Sequence, residues 1–132
     1  MARYLLDTNV LSEAIRNPRG PLATRLARTP PADLCTSVVV AAELRYGAAR
    51  KGSARLSAAV AQVLSALDVL PLELPVDEIY GGLRAGLEAQ GRTMGANDLL
   101  IAAHALTLQS ILITDDQAFA RVDGLKVENW LR

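Results

Sequence analysis

The sequence predicts an α/β fold, a three-layer sandwich in which helices flank a central, mainly parallel sheet of four to five strands. Short aliphatic segments alternate with helical patterns along the whole chain, and this alternation is typical of parallel sheets. Apolar residues make up 51% of the chain and aromatic residues 4%, so Ala, Leu and Val are expected to fill the core. At 132 residues, the chain has the size of one domain, and residues 1–132 are expected to form a single unit.

The chain begins with a strand and two helical patterns. Residues 3–7 are a short aliphatic strand, and Thr8 or Asn9 is expected to cap a helix that runs to about Arg16. A break rich in proline and glycine follows. Residues 22–28 then show a second, short helical pattern.

The next segment predicts a second strand and two longer helices. Residues 33–36 form the strand, and Ser37 is expected to cap a helix that runs to about Arg50. A Lys-Gly pair ends this helix. Ser53 then starts an alanine-rich helix that continues to Asp68, with apolar residues recurring at helical spacing.

A third strand and a further helix follow. Residues 69–72 form the strand, and Pro71 indicates an edge position because proline lacks a backbone N–H. Asp77 and Glu78 open the helix, where acidic side chains interact favourably with the helix dipole. Gly91 stops it.

The last part of the chain predicts one apolar helix and two strands. Asn97 is expected to cap a helix over 98–109, which is apolar nearly all round and should be buried on both faces. Residues 111–114 form a strand, 116–121 a brief helix and 126–128 a fifth strand.

Four acidic residues lie at the ends of apolar segments or within them: Asp7, Glu43, Asp98 and Asp116. A carboxylate beside an apolar run is costly to desolvate unless a cation pairs with it. In open α/β sheets, sites form beyond the carboxyl ends of the strands, where these residues are expected to meet. Several carboxylates drawn together repel one another, and a divalent metal relieves that repulsion. The pattern therefore indicates a metal-dependent phosphoryl-transfer enzyme.

Composition restricts the class of partner and the compartment. Lys and Arg together number 14, as do Asp and Glu, which argues against a strongly basic, non-specific nucleic-acid binder but leaves a nuclease open. The chain has one cysteine, which fits a reducing cytoplasm. The N-terminal residues lack the apolar core of a secretion signal, and no membrane span is expected.

Several motifs together resemble the PIN-domain ribonucleases, and most closely the VapC-like toxins of type II toxin–antitoxin modules. The resemblance covers the chain from Leu5 to Trp130. The motifs are LDTNVLSE at residues 6–13, AELRYG at 42–47, DLLIAAHA at 98–105, LITDDQAF at 112–119 and VDGL at 122–125. Each motif is weak by itself, but their order and spacing are typical of the family.

The resemblance implies a fold, a site and partners. It implies a PIN-like sandwich in which Asp7, Glu43, Asp98 and Asp116 are the catalytic and metal-binding residues, supported by the hydroxyl of Thr114. It further implies Mg2+ or Mn2+ as the cofactor, RNA as the substrate, growth inhibition as the outcome, and a homodimer held inactive by a VapB-like antitoxin. The apolar composition and the apolar helix over 98–109 also indicate a covering partner, and the antitoxin is expected in a groove near Leu44 and Tyr46.

Some alternatives remain open at this level. Asp115 competes with Asp116 for the fourth acidic position, and Asn9 either contacts water or phosphate or caps the first helix. His104 is expected to point away from the site and to be packed in the core or at a dimer interface.

Two other functions are alternatives to a ribonuclease. A haloacid-dehalogenase-like phosphatase also has an aspartate after its first strand. It needs a second aspartate two residues later, however, where this chain has Asn9. A module that acts mainly in promoter regulation with the antitoxin is the non-enzymatic alternative.

Overall fold

The computed structural model describes residues 3–131, and within them five strands form a single parallel sheet in the order β3-β2-β1-β4-β5. The strands are β1 (Tyr4–Leu6), β2 (Leu34–Ser37), β3 (Asp68–Leu70), β4 (Ile111–Ile113) and β5 (Val127–Glu128). Every pairing between neighbouring strands of this sheet is parallel. The predicted α/β architecture is confirmed, and so is the edge position of β3.

Six α-helices occur in the described part of the chain: α1 (Thr8–Arg16), α2 (Pro21–Arg28), α3 (Val38–Lys51), α4 (Ala54–Ser65), α5 (Val76–Ala89) and α6 (Ala96–Leu108). Short 3-10 helices cover Pro31–Asp33 and Gln117–Arg121. The order of elements agrees with the prediction. The fourth helix was predicted too long, because Asp68 already pairs with Cys35 as the first residue of β3.

The central strand β1 brings two distant parts of the sequence together. Leu6 pairs with Ile113 on β4, and the N–H of Asp7 donates to the Ile113 carbonyl at 3.0 Å. Both strands are short and fully apolar at their centres, with Leu6 and Ile113 completely buried. Because the strands are parallel, the residues that follow each of them, Asp7 and Thr114, emerge side by side at one edge of the sheet.

Two of the three predicted helix caps are wrong. The N-cap of α1 is Asp7, whose carboxylate accepts from the Thr8 N–H at 2.8 Å, because the helix begins directly after the strand. Helix α6 begins at Ala96 after Gly95, so Asn97 lies inside the first turn, and its amide donates to Glu43 Oε2 at 3.5 Å instead of capping the helix.

The third predicted cap is confirmed, since Ser37 caps α3 by accepting from the Val39 N–H at 3.1 Å. Ser53, predicted only as the start of the next helix, is the N-cap of α4 and accepts from the Leu56 N–H at 3.1 Å.

Helix α6 is buried within its own subunit. Its residues 101–105 are all buried, and α5 packs along it. The prediction that the helix is buried on both faces is therefore confirmed for its central turns, and α5 and the core cover them. None of the helices within residues 3–131 combines the length and apolarity required to cross a membrane.

Candidate functional site

The predicted acidic residues meet in one pocket at the carboxyl edge of the sheet. Its volume is about 350 Å³. The residues that line it are Asp7, Thr8, Asn9, Ser12, Arg16, Glu43, Asp98 and Asp116. The four carboxylates come from different places in the fold: the end of β1, the middle of α3, the first turn of α6 and the residue before the last 3-10 helix. Asp115 is exposed and does not line the pocket.

Asp7 is the most buried of these carboxylates, with 5% of its surface exposed. Burial raises the pKa of Asp7 from 3.8 to about 6. Hydrogen bonds from the Thr114 hydroxyl and the Thr8 N–H oppose this rise in pKa, whereas the charges of Asp98 and Glu43 add to it. The carboxylate therefore carries its charge at neutral pH only at a cost in free energy.

Thr114 connects Asp7 to Asp116. Its hydroxyl donates to Asp7 Oδ2 at 2.7 Å and accepts from the Asp116 N–H at 3.1 Å. Asp116 in turn caps the 3-10 helix, since its Oδ1 accepts from the Ala118 N–H at 2.9 Å. The buried threonine thus sets the position of both acidic residues.

Asp98 and Glu43 complete the acidic lining from two helices. Burial raises the pKa of the Asp98 carboxyl, and the charges of Asp116 and Glu43 raise it further. Glu43 Oε1 accepts from the Thr8 hydroxyl at 2.6 Å, and its Oε2 accepts from the Asn97 amide at 3.5 Å. Sequence reasoning treated Thr8 and Asn97 only as helix caps, although their position beside Asp7 and Asp98 was a signal for a role in the site.

Asn9 presents an unpaired acceptor in this pocket. Its Oδ1 is buried and has no hydrogen-bond partner among residues 3–131. A buried oxygen without a donor costs free energy. A cation or a water held by the neighbouring carboxylates would satisfy it.

The donor set fits Mg2+ or Mn2+. The side chains are hard oxygen donors, and Mg2+ typically takes one or two carboxylates and keeps several waters. As the side chains stand, no three His, Cys, Asp or Glu residues within 3–131 form a group spaced to hold a metal ion. Asp7 and Glu43 each accept a hydrogen bond from a threonine hydroxyl, that of Thr114 and that of Thr8, and a carboxylate keeps further acceptor sites beside such a bond.

Basic residues and the one histidine lie around the pocket or away from it. Arg16 lines the pocket and pairs with Glu13 at 3.1 Å. Arg45 and Arg92 are exposed and do not line the pocket. His104 is buried and points away from the acidic residues, as predicted.

An apolar groove of about 170 Å³ adjoins the acidic pocket. The two share Thr8, Ser12, Arg16 and Glu43. The apolar side of the groove includes Ile15, Leu44, Leu56 and Val60, contributed by α1, α3 and α4. The predicted groove near Leu44 is therefore present, whereas Tyr46 lies outside it with 66% of its surface exposed.

Comparison with known proteins gives matches over nearly the whole chain. A model of the PIN domain matches residues 4–125. A protein from Haemophilus influenzae named ribonuclease VapC2 is 33% identical, with 99% of this chain and 100% of that protein covered. A protein from Shigella flexneri named tRNA(fMet)-specific endonuclease VapC is also 33% identical, with 98% of this chain and 99% of that protein covered. Among solved structures, the VapBC2 complex of Rickettsia felis bound to a promoter DNA fragment matches with a TM-score of 0.87 at 32% identity, covering 96% of this chain and 98% of that one.

Proposed function

We infer that this chain, which belongs to the PIN-domain family and within it to the VapC ribonucleases, is a divalent-metal-dependent endoribonuclease that acts as the toxin of a toxin–antitoxin pair. The observation that carries the metal dependence is the pocket in which Asp7, Glu43, Asp98 and Asp116 converge. Burial raises the pKa values of Asp7 and Asp98 there, and the charges of neighbouring carboxylates raise them further. A bound divalent cation would remove this repulsion.

The residues of the pocket have separable roles in phosphodiester hydrolysis. Asp7, Glu43, Asp98 and Asp116 would hold the metal, and Thr114 would orient Asp7 through its 2.7 Å hydrogen bond. When bound, such a metal activates a water and offsets charge on the phosphate. Burial raises the pKa values of Asp7 and Asp98, and a bound cation would favour the charged forms of these two carboxylates.

The apolar groove supports an antitoxin as the partner. It opens onto the acidic pocket through Thr8, Ser12, Arg16 and Glu43, so a peptide lying in it would reach the carboxylates. We propose that a VapB-like antitoxin binds there and that a basic side chain of it, most suitably an arginine, enters the pocket and competes with the metal. Released toxin would cleave cytoplasmic RNA and so inhibit translation and growth.

Two further features belong to this proposal. A homodimer is supported by exposed apolar side chains such as Leu72 and Leu74, the latter 81% exposed. A role in promoter regulation together with the antitoxin is a second function, favoured by the similarity to the promoter-bound Rickettsia felis complex.

The deciding experiment is RNA cleavage by the purified protein with Mg2+ or Mn2+ and with EDTA. We expect cleavage at defined positions with either metal and none with EDTA, because without a cation the pocket repels the phosphate. Initiator tRNA is the first substrate to test, given the name of the Shigella flexneri relative. Turnover of p-nitrophenyl phosphate without RNA cleavage would favour the phosphatase alternative, and cleavage that persists in EDTA would exclude metal dependence.

Replacement of Glu43 by glutamine is expected to weaken Mn2+ binding at least about tenfold, the scale on which even indirect partners of metal ligands matter. Glutamine keeps an oxygen that can accept from the Thr8 hydroxyl but removes the charge. Isothermal titration calorimetry of both proteins measures this change, and thermal melts should show a smaller stabilisation by Mn2+ in the variant. Glu13→Gln, which alters the surface pair with Arg16, is the matched control. Equal Mn2+ affinity in Glu43→Gln and wild type would exclude Glu43 from the site.

A further inference from the structure

His104 forms a buried hydrogen bond that the proposed chemistry does not use. Its Nδ1 lies 2.8 Å from Ser37 Oγ, and both residues are almost completely inaccessible, at 1% and 0% exposure. Ser37 is the N-cap of α3, the helix that carries Glu43, and His104 lies on α6, the helix that carries Asp98. The bond therefore joins the two helices that bring these carboxylates to the pocket.

The direction of this hydrogen bond follows from the partners of each group. Ser37 Oγ already accepts from the Val39 N–H at 3.1 Å, which leaves its hydroxyl hydrogen free to donate to Nδ1. Burial lowers the pKa of the His104 ring, and the backbone of Pro71 opposes this lowering. The ring is therefore neutral at pH 7, and a neutral imidazole has one nitrogen that accepts. We take Nδ1 as that acceptor and the Ser37 hydroxyl as its donor.

Two cross-links define how α3 lies against α6. The first joins Ser37 to His104 at 2.8 Å, and the second joins Glu43 to Asn97 at 3.5 Å. Moving six residues along α3 thus corresponds to moving seven residues back along α6, so the two helices run antiparallel. The second contact is long for a hydrogen bond and involves an exposed asparagine. The buried Ser37–His104 bond is therefore the contact that sets the spacing.

We propose that His104 is a positioning residue for the acidic pocket: through Ser37 it fixes α3 against α6 and so sets the separation of Glu43 and Asp98 that metal binding requires. The inference rests on the proposed metal-dependent function. It assigns His104 a role at a distance from the carboxylates, because rigid helices transmit a displacement at one end to the side chains they carry. If His104 only filled space in the core, its replacement would change the unfolding temperature and leave the metal affinity unchanged.

The test compares Mn2+ affinity, measured by calorimetry, with unfolding temperature in the same full-length proteins. We expect His104→Leu and Ser37→Ala each to weaken Mn2+ binding by about tenfold, within the 10–100-fold typical of outer-shell partners of metal ligands. The double variant should lose no more than the stronger single variant, because both remove the same bond. His104→Asn, which retains an acceptor near the Nδ1 position, should recover most of the affinity.

Ser53→Ala is the matched control. Ser53 caps α4 through the same kind of bond, 3.1 Å from the Leu56 N–H, but α4 carries none of the four pocket carboxylates. Ser53→Ala should lose about as much stability as Ser37→Ala loses through removal of its helix cap. It should nevertheless bind Mn2+ as tightly as wild type. Wild-type Mn2+ affinity in Ser37→Ala, whatever its melting temperature and whether or not His104→Leu folds, would overturn the positioning role. A wild-type protein that binds no Mn2+ would overturn the metal site and this inference together.

Discussion

RNA cleavage is expected to fall by about 10²–10³-fold or more when Asp98 is replaced by asparagine, the range seen when one preorganised electrostatic group is removed from an active site. Asparagine has nearly the same shape as aspartate. Asp98 lies half-buried in the first turn of α6, near the charges of Asp116 and Glu43. The substitution therefore removes a charge and leaves the packing in place. With metal held more weakly, neither the attacking water nor the phosphate is adequately stabilised.

The measurement is single-turnover cleavage of RNA with saturating enzyme in Mg2+, together with growth after induction of each variant. Asp116→Asn should show a loss of the same kind, because Asp116 lines the pocket. Asp115→Asn is the matched control: Asp115 is the exposed neighbour that does not line it, and its variant should cleave and arrest growth like wild type. A fully active Asp98→Asn protein, or an inactive Asp115→Asn protein beside an active Asp116→Asn protein, would contradict this assignment of the acidic site.

Replacement of Asp7 by asparagine is expected to stabilise the metal-free protein near pH 7.5 by about 2 kcal/mol. The pKa of Asp7 is raised from 3.8 to about 6, and each pKa unit corresponds to about 1.4 kcal/mol. From this gain of about 3 kcal/mol we subtract about 1 kcal/mol for a hydrogen bond that the amide cannot reproduce. Asparagine remains a good N-cap for α1, so the cap is retained.

The sign of this effect depends on pH. Between the unfolded pKa of 3.8 and the folded pKa of about 6, the folded state binds more protons than the unfolded state. The contribution of Asp7 to wild-type stability therefore decreases as pH rises through this window and stays low above it. The advantage of Asp7→Asn should thus be largest above pH 6 and shrink as pH falls toward 4.

Urea unfolding in EDTA at several pH values, followed by the fluorescence of the single tryptophan, measures this difference. Asp115→Asn again serves as the control and should show no such pH-dependent gain. A large loss of stability in Asp7→Asn at pH 7.5 would mean that the carboxylate is a structural group whose hydrogen bonds to Thr114 and Thr8 outweigh its repulsion. Addition of Mn2+ should make the wild type more stable than Asp7→Asn, because the wild type gains more stability from binding the metal than the variant does.

Local patterns in the sequence determined most of the architecture. The alternation of apolar strands with helical segments was sufficient to predict a mainly parallel sheet, and the Ser37 cap followed from residue type at the start of a helical pattern. The family motifs also indicated Asp7, Glu43, Asp98 and Asp116 before any contact was known. These features are local because strand period, helix period and capping each depend on residues within a few positions of one another.

The tertiary structure decided what depends on residues far apart in sequence. It placed Asp116 rather than Asp115 in the pocket, because the Asp116 N–H bonds to Thr114. In the structure Asn97 does not cap α6 but donates to Glu43. Helix α6 packs against α5. The tertiary structure also joined Ser37 to His104 across 67 positions. Such pairings arise only when the sheet and its helices close around one core, since their free energies depend on the burial and spacing that packing creates.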